Sequence, residues 1–306
     1  MNPIQSKKDI YTGIALAVTA TVIWSGNFIV ARGANAQIGP FSLAFYRWFT
    51  ATLIIAPFAW KKFKAEKSIV YAERKHLFWV SLTGMVLFNT SIYIAGHYTS
   101  AINMALIGTT SSPIFATILA VIYLNEKLSV TRIAGMAICI TGILVLISKG
   151  SLQTLASFRF SIGDLWMLCG AFAFAVYNIL VKKKPINISA INFLFVIFGM
   201  GTFILLPFFL TELSIGASTH WNFSLLASIL YLGIGTSIIS YLCWNKALHK
   251  LGTGRTVLFG NLIPIFSTLE AVIILGEKFT GIHIISGGLV IVGLVLANSH
   301  FRRKAV

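Results

Sequence analysis

The chain has 306 residues, 57% of them hydrophobic and only 10% charged, with a formal net charge of +16. A soluble domain carries about 25% charged residues, so this surface reads as one solvated by lipid. The excess of positive charge does not point to nucleic acid. Lys and Arg sit in short clusters between apolar runs, as at Lys61, Lys62, Lys64 and Lys67 or Lys182, Lys183 and Lys184, without the interleaved aromatics of a single-strand binder.

A bilayer core about 30 Å thick takes roughly 20 apolar residues of helix to cross. Ten such runs follow one another, and together they predict an all-α integral membrane protein. The first, 10–31, follows Lys7 and Lys8 and has no small-residue cleavage site after a short apolar core, so it reads as an uncleaved helix. It carries Trp24 and Asn27. The second, 39–60, places Arg47 about eight residues in, roughly 12 Å deep at 1.5 Å per residue. An Arg at that depth costs about 2.5–3.5 kcal/mol on insertion scales and should face the bundle interior with a partner. A guanidinium there suits a substrate carboxylate or phosphate. Snorkelling to the outer interface, or a structural bond to helix-end carbonyls, is the other reading.

The third run, 77–97, carries Asn89 and Tyr93 and ends at His97, which reads as a wet interfacial residue. The fourth and fifth, 101–124 and 130–148, bring Pro113 and a pair of small residues, Gly135 and Gly142. The segments 61–76 and 149–161 read as linkers. The sixth to eighth runs, 162–181, 189–210 and 222–245, hold Tyr177, Tyr241 and Trp244. The ninth, 254–275, holds Asn261, Pro264 and Glu270, and the tenth, 281–299, carries Gly287, Gly288 and Gly293. The runs 130–148 and 281–299 have apolar middles with small residues that permit close approach. They belong at the periphery, supporting the bundle or forming a dimer seam. Glu126 and Glu277 follow the fourth and ninth runs. They read as acids at the positive end of the next helix, with Ser129 and Thr280 as its N-caps.

Two further patterns organise the runs. With both termini cytoplasmic, 19 of the 24 Lys and Arg fall on the inner side and 4 on the outer side, with Arg47 inside a span; such a bias sets orientation. Residues 113–128, PIFATILAVIYLNEKL, repeat as 264–279, PIFSTLEAVIILGEKF, with 10 of 16 positions identical at an offset of 151. Residues 1–150 and 151–306 are then two halves of five helices each. Because five is odd, they cross the membrane in opposite senses, an arrangement found in transporters that open alternately to either side.

The repeat also isolates candidate site residues. Glu270 is a carboxylate well inside a span, and its mate is Leu119, so the acid belongs to one half only. It could hold a substrate amine, carry a proton or pair with Arg47. Bound at either end by Arg47 and Glu270, an amino acid would satisfy both charges; a permanent ion pair between the two is the rival. Asn27, Asn89 and Asn261 lie near mid-span and fit a polar cavity, or join helices. Tyr93 and Trp244 are repeat mates that could line that cavity with Trp24 and Tyr177, or belong to an interfacial aromatic belt. Pro113 and Pro264 are mates as well, and read as paired hinges or as static bends.

These residues resemble a known family. IWSGNFIVAR in the first run lies near the Trp-Gly-Ser-Asn-Phe pattern of the EamA-like branch of the drug/metabolite transporter superfamily, with Ser and Gly in swapped order. PFSLAFYRW places Arg47 at that family's usual Arg. YTSAINMALI, SPIF and LNEKLS continue the match, and ALHKLGTGRTVLFGNLIPIF and LGEKFT carry it into the second half. The resemblance implies ten transmembrane helices built as two inverted five-helix repeats around a central cavity. It also implies transport, often export, of amino acids, nucleotide-related compounds or other metabolites.

The expectation is a multi-pass inner-membrane transporter of a small polar metabolite, an amino acid or a related compound. A nucleotide-related or other anionic metabolite is the alternative substrate, and a non-transporting scaffold or partner subunit the alternative class. The partners expected are the small-molecule substrate, the lipid bilayer and a coupling proton or ion, with no nucleic acid and the chain a monomer or homodimer. Cys139, Cys169 and Cys243 lie in apolar runs without metal-ligand spacing, so neither a disulfide, a metal nor a cofactor is expected. There is no Ser–His–Asp set and no phosphate-cradling Gly loop, so the chain does not read as an enzyme.

Overall fold

The computed structural model describes residues 7–124, 130–153, 161–182, 188–216, 219–251, 256 and 259–298. Among them no strand occurs, and ten helical rods follow in chain order. They are α1 (Lys7–Gly33), α2 (Pro40–Ala72), α3 (Arg74–Tyr98), α4 (Ala101–Leu124), α5 (Val130–Ile147), α6 (Ile162–Lys182), α7 (Ala190–Ser214), α8 (Phe223–Leu251), α9 (Gly260–Leu275) and α10 (Gly281–Asn298). In lipid each backbone group must be satisfied within its own segment, and helices do this for long apolar runs. Seven rods, α1 to α4 and α6 to α8, are long and apolar enough to cross a membrane. The stretches 133–146, 260–275 and 281–296 are apolar but shorter.

Three boundaries differ from the sequence reading. Residues 61–72, taken as linker, continue α2 for three more turns. Lys, Ala and Glu are good helix formers, and at 33 residues α2 is about 50 Å long, too long for the hydrocarbon layer alone. Pro264 does not interrupt a span; it lies in the first turn of the α-helical part of α9, after a 3₁₀ turn at Gly260–Leu262. Its missing N–H costs nothing there. Glu277 caps α4 and not α10, accepting from the N–H groups of Ala101 and Ile102 at 2.8 and 3.2 Å. Glu126 and Ser129 lie outside the described residues.

The packing follows the repeat. α1 lies against α8 and α9, and its mate α6 lies against α3 and α4. α2 packs on its own mate α7, and α5 on its mate α10. Carboxylates fasten the ends of the α2–α7 pair. Near the end of α2, Glu66 accepts from Ser189 N–H and Oγ and from Asn192 Nδ2 at the start of α7. Near the end of α7, Glu212 accepts from Ser42 N–H at 2.6 Å at the start of α2. Each acid thus meets the positive end of the partner helix. The α5–α10 seam is made of small residues: Ser286 donates to Gly142 O at 2.8 Å, and a Cβ on Gly293 would come within 2.6 Å of Gly135 O.

Candidate functional site

Arg47 is 5% exposed and forms the hub of the bundle. Nη1 donates to Asn27 Oδ1 at 2.8 Å, Asn89 Oδ1 at 2.7 Å and the Tyr93 hydroxyl at 2.8 Å. Nε donates to Ser237 Oγ at 3.1 Å. The Tyr93 hydroxyl passes its own proton to Asn27 Oδ1 at 3.3 Å. Four helices, α1, α2, α3 and α8, thus meet at one guanidinium. All these partners are neutral, and among the described residues no carboxylate lies within ion-pair distance of Arg47. Nη2 makes no hydrogen bond among the described residues and is not sealed from solvent. A guanidinium carries five donors in a fork that fits planar oxyanions, so the unused edge is a ready anion contact.

Two of these partners stand at unusual backbone. α3 widens to a π-helix at Ser81–Leu87, and α8 does so at Tyr231–Ile239. Gly84 and Gly235, at the repeat offset, lie inside these segments. Each segment is stitched by a side chain to the carbonyl five residues back. Asn89 Nδ2 donates to Gly84 O at 2.9 Å, and its mate Ser240 donates to Gly235 O at 3.0 Å. Arg47 therefore bridges the two widened stretches, through Asn89 on one and Ser237 on the other. π-segments commonly mark functional sites in helices.

Four consecutive residues of α1 organise the remainder. Trp24 Nε1 donates to Thr236 O at 3.0 Å, and its ring packs on Tyr241 and Trp244 at 5.6 and 5.1 Å between centroids. Ser25 donates to Glu270 Oε1 at 2.7 Å. A Cβ on Gly26 would come within 2.2 Å of the Tyr231 hydroxyl, which itself donates to Ile23 O at 2.6 Å. Asn27 holds Arg47. At about 100° per residue, four neighbours point around the whole helix, so between them they reach α8 (Trp24 and Gly26), α9 (Ser25) and α2 with α3 (Asn27). The Ser-Gly order of the motif has its reason here: the hydroxyl is needed opposite Glu270, and nothing larger than hydrogen fits against Tyr231.

Arg47 and Glu270 do not form the ion pair weighed from sequence. Their partners Asn27 and Ser25 stand about 200° apart around α1, so the two charges lie on opposite sides of that helix. The second oxygen of Glu270, Oε2, is buried without a hydrogen-bond partner among the described residues.

The other predicted residues separate into near and far. Tyr177 is buried, packs its ring on Gly84 and meets the hydroxyl of Tyr241, which packs on Trp24. Tyr177 and Trp244 thus border the hub. Asn261 does not join it. It lies in the 3₁₀ turn and lines a cleft of about 520 Å³ between α9 and α10, beside Pro264 and Leu106. The walls of that cleft are almost wholly apolar, as suits a lipid-facing flank more than a polar substrate. Pro113 sits exposed inside a continuous α4. Sequence reasoning missed Ser25, Ser237 and Ser240, whose small hydroxyls gave no signal beyond the swapped motif and the repeat position of Ser240.

The EamA-like transporter family matches residues 11–148 and again 161–299. An uncharacterized transporter of Archaeoglobus fulgidus is 29% identical over 94% of this chain and 97% of its own. A probable amino-acid metabolite efflux pump of Salmonella typhimurium is 26% identical over 97% of both chains. A probable terminal-alkyne amino-acid exporter of Streptantibioticus cattleyicolor is 27% identical over 61% of each. One protein crystal structure superposes on 96% of this chain and 99% of its own with a TM-score of 0.61 at 17% identity, a likeness of fold alone.

Proposed function

The chain belongs to the EamA-like transporter family, and on that premise we propose that it moves an amino acid or close relative out of the cell, with Arg47 as the carboxylate contact. It is a multi-pass membrane transporter and not an enzyme. The observation that carries the substrate reading is the unpaired edge of Arg47, held among neutral acceptors with no counter-charge within ion-pair distance among the described residues. The half-buried cluster of Trp24, Tyr241 and Trp244 beside it would take the ammonium over ring faces or an apolar side chain. Glu270 is left out of this clamp because α1 stands between it and Arg47. Relatives named as amino-acid efflux pumps and exporters support the same class.

In this reading the chain crosses the inner membrane ten times, with both termini cytoplasmic and the halves 1–150 and 151–306 inverted. The lysine-rich end of α2 is then cytoplasmic. Opening to either side draws on backbone already freed from α-helical bonding, the π-segments of α3 and α8, and on Pro113 within α4. A cysteine at Lys64 in a Cys-free background should be shielded from an impermeant thiol reagent in intact cells, and one at Gln37 should react; the reverse pattern would overturn the topology.

The functional test is counterflow in proteoliposomes preloaded with an equimolar mixture of the protein amino acids. Wild type should exchange at least one of them, and Arg47→Gln should not. If wild type exchanges none but takes up anionic nucleotide-related compounds, the same unpaired Arg47 favours the second reading, an anionic metabolite.

A further inference from the structure

We infer that Glu270 is the core of a binding site for a small monovalent cation, a proton or a sodium ion, separate from the anion contact at Arg47 and coupled to it through α1. The first observation is a set of buried oxygens without partners. Among the described residues, Glu270 Oε2 and Ser267 Oγ on α9 make no hydrogen bond, nor do Thr110 Oγ1 and Ser111 Oγ on α4. Hydroxyls in helices ordinarily donate to the carbonyl one turn back, as Thr109 of the same helix does to Ala105 O at 2.7 Å. These three do not.

Ser267 and Glu270 are three residues apart and share a face of α9. The hydroxyls of α4 come to the same level. α4 and α9 pack together, and the start of α4 is held by Glu277 just beyond the end of α9, so the two helices run antiparallel from a fixed junction. Counting inward from it at equal rise, Thr110 and Ser111 reach the level of Ser267 and Thr268, within a turn of Glu270 along the axis. Ser25 completes the group from α1 at 2.7 Å.

The chemistry of this group is that of a cation site. An ionised carboxylate inside a membrane bundle needs a compensating charge, and among the described residues no basic side chain lies within ion-pair distance of Glu270. Of the titratable groups around it, Tyr231 of α8 donates its hydroxyl proton to Ile23 O. The charged residues of α1 sit at its ends, Lys7, Lys8 and Asp9 at one and Arg32 at the other; α4 offers Tyr123 at its far end, and Glu277 and His283 stand beyond the end of α9. A proton on Oε2 would be shared with one hydroxyl oxygen; a sodium ion would draw on several.

The coupling follows from α1. Ser25 reports on Glu270 and Asn27 holds Arg47, two residues apart on one rigid helix. A cation that weakens the Ser25–Glu270 bond loosens α1 from α9 and shifts the Asn27 face, and by linkage an anion at Arg47 alters cation affinity by the same factor. This coupling rests on the substrate reading of Arg47; the cation site does not.

The test therefore needs no substrate. Thermal unfolding of the full detergent-purified chain is compared in sodium and choline chloride at equal ionic strength, and in choline from mildly basic to mildly acidic pH. A folded-state ligand raises apparent stability. In wild type Tm should rise by about 2–4 °C with sodium if that is the ion, or on acidification if it is the proton. In Glu270→Gln the response should vanish, and in Ser267→Ala, the milder variant, it should shrink. Arg47→Gln should keep the cation response while losing stabilisation by amino acids, so the two sites fail separately. A wild type indifferent to both conditions, or a Glu270→Gln protein with an undiminished response, overturns the site. If the cation response is absent and Glu270→Gln also loses stabilisation by amino acids, the acid returns to the ammonium role.

Discussion

α3 and α8 occupy equivalent places in the two halves, and their backbones do the same thing. Each widens to a π-segment at the repeat position, around Gly84 in one and Gly235 in the other, and each is stitched there by a side chain at the same offset, Asn89 or Ser240. Their side-chain environment is not duplicated. Asn89 also accepts from Arg47, whereas Ser240 does not. Glu270 faces Ser25, while its mate Leu119 is apolar. The backbone device is kept in both halves, and the polar chemistry is divided unequally between them, with Asn27, Arg47, Asn89 and Tyr93 in the first half and Glu270 in the second. Movement that opens both ways needs matched joints; recognition of a substrate with unlike ends needs an unmatched site.

The largest expected effect falls on the unmatched side. Arg47→Leu removes two charge-assisted hydrogen bonds to a substrate carboxylate, worth about 1.5–3 kcal/mol each. Amino-acid affinity should fall roughly 100-fold or more in a titration of purified protein. A smaller loss would mean that the hub is structural and the asymmetry has nothing to do with substrate.

The seam between α5 and α10 sharpens the comparison from the other side, because its glycines are mates with unequal surroundings. A Cβ on Gly293 meets Gly135 O and Cys139 N, both backbone, at 2.6 and 2.8 Å; on Gly142 it meets Ser286 O at 3.0 Å and side-chain atoms at 3.1 Å. Gly293→Ala should cost about 1–3 kcal/mol by overpacking and lower Tm clearly, and Gly142→Ala should lower it less. Equal shifts would show that the seam yields alike on both sides.

Much of this arrangement could be read before the coordinates. The apolar runs mark helix ends to within a few residues where lipid sets the length, as at 101–124 and 162–181. They fail at the end of α2, where lysines signal water but also prolong a helix. Arg47, Asn27 and Asn89 stood out by the cost of polar groups in hydrocarbon and Tyr93 as the repeat mate of Trp244, and the four do meet. The π-segments were not readable, because a widened turn depends on which carbonyl a nearby amide or hydroxyl captures. Asn261 and Pro264 misled for a related reason: a 3₁₀ turn at the start of α9 displaces both from mid-span.

A smaller effect separates the two stitches. Ser240→Ala loses one hydrogen bond, about 1 kcal/mol, and should slow counterflow only a few-fold with affinity intact. Asn89→Ala loses the stitch and a charge-assisted bond to Arg47, about 1.5–3 kcal/mol more, and should lower affinity tenfold or more. Identical phenotypes would erase the distinction between joint and site.

The central claim is that Arg47 reads the carboxylate of the substrate, and ligand chemistry tests it most directly. An amino acid that stabilises the wild-type protein is titrated beside the amine formed by removing its carboxylate, against wild type and Arg47→Gln. Wild type should bind the acid at least 100-fold more tightly than the amine, and the variant should bind both weakly and about equally. The same preference for the acid in both proteins would contradict the account.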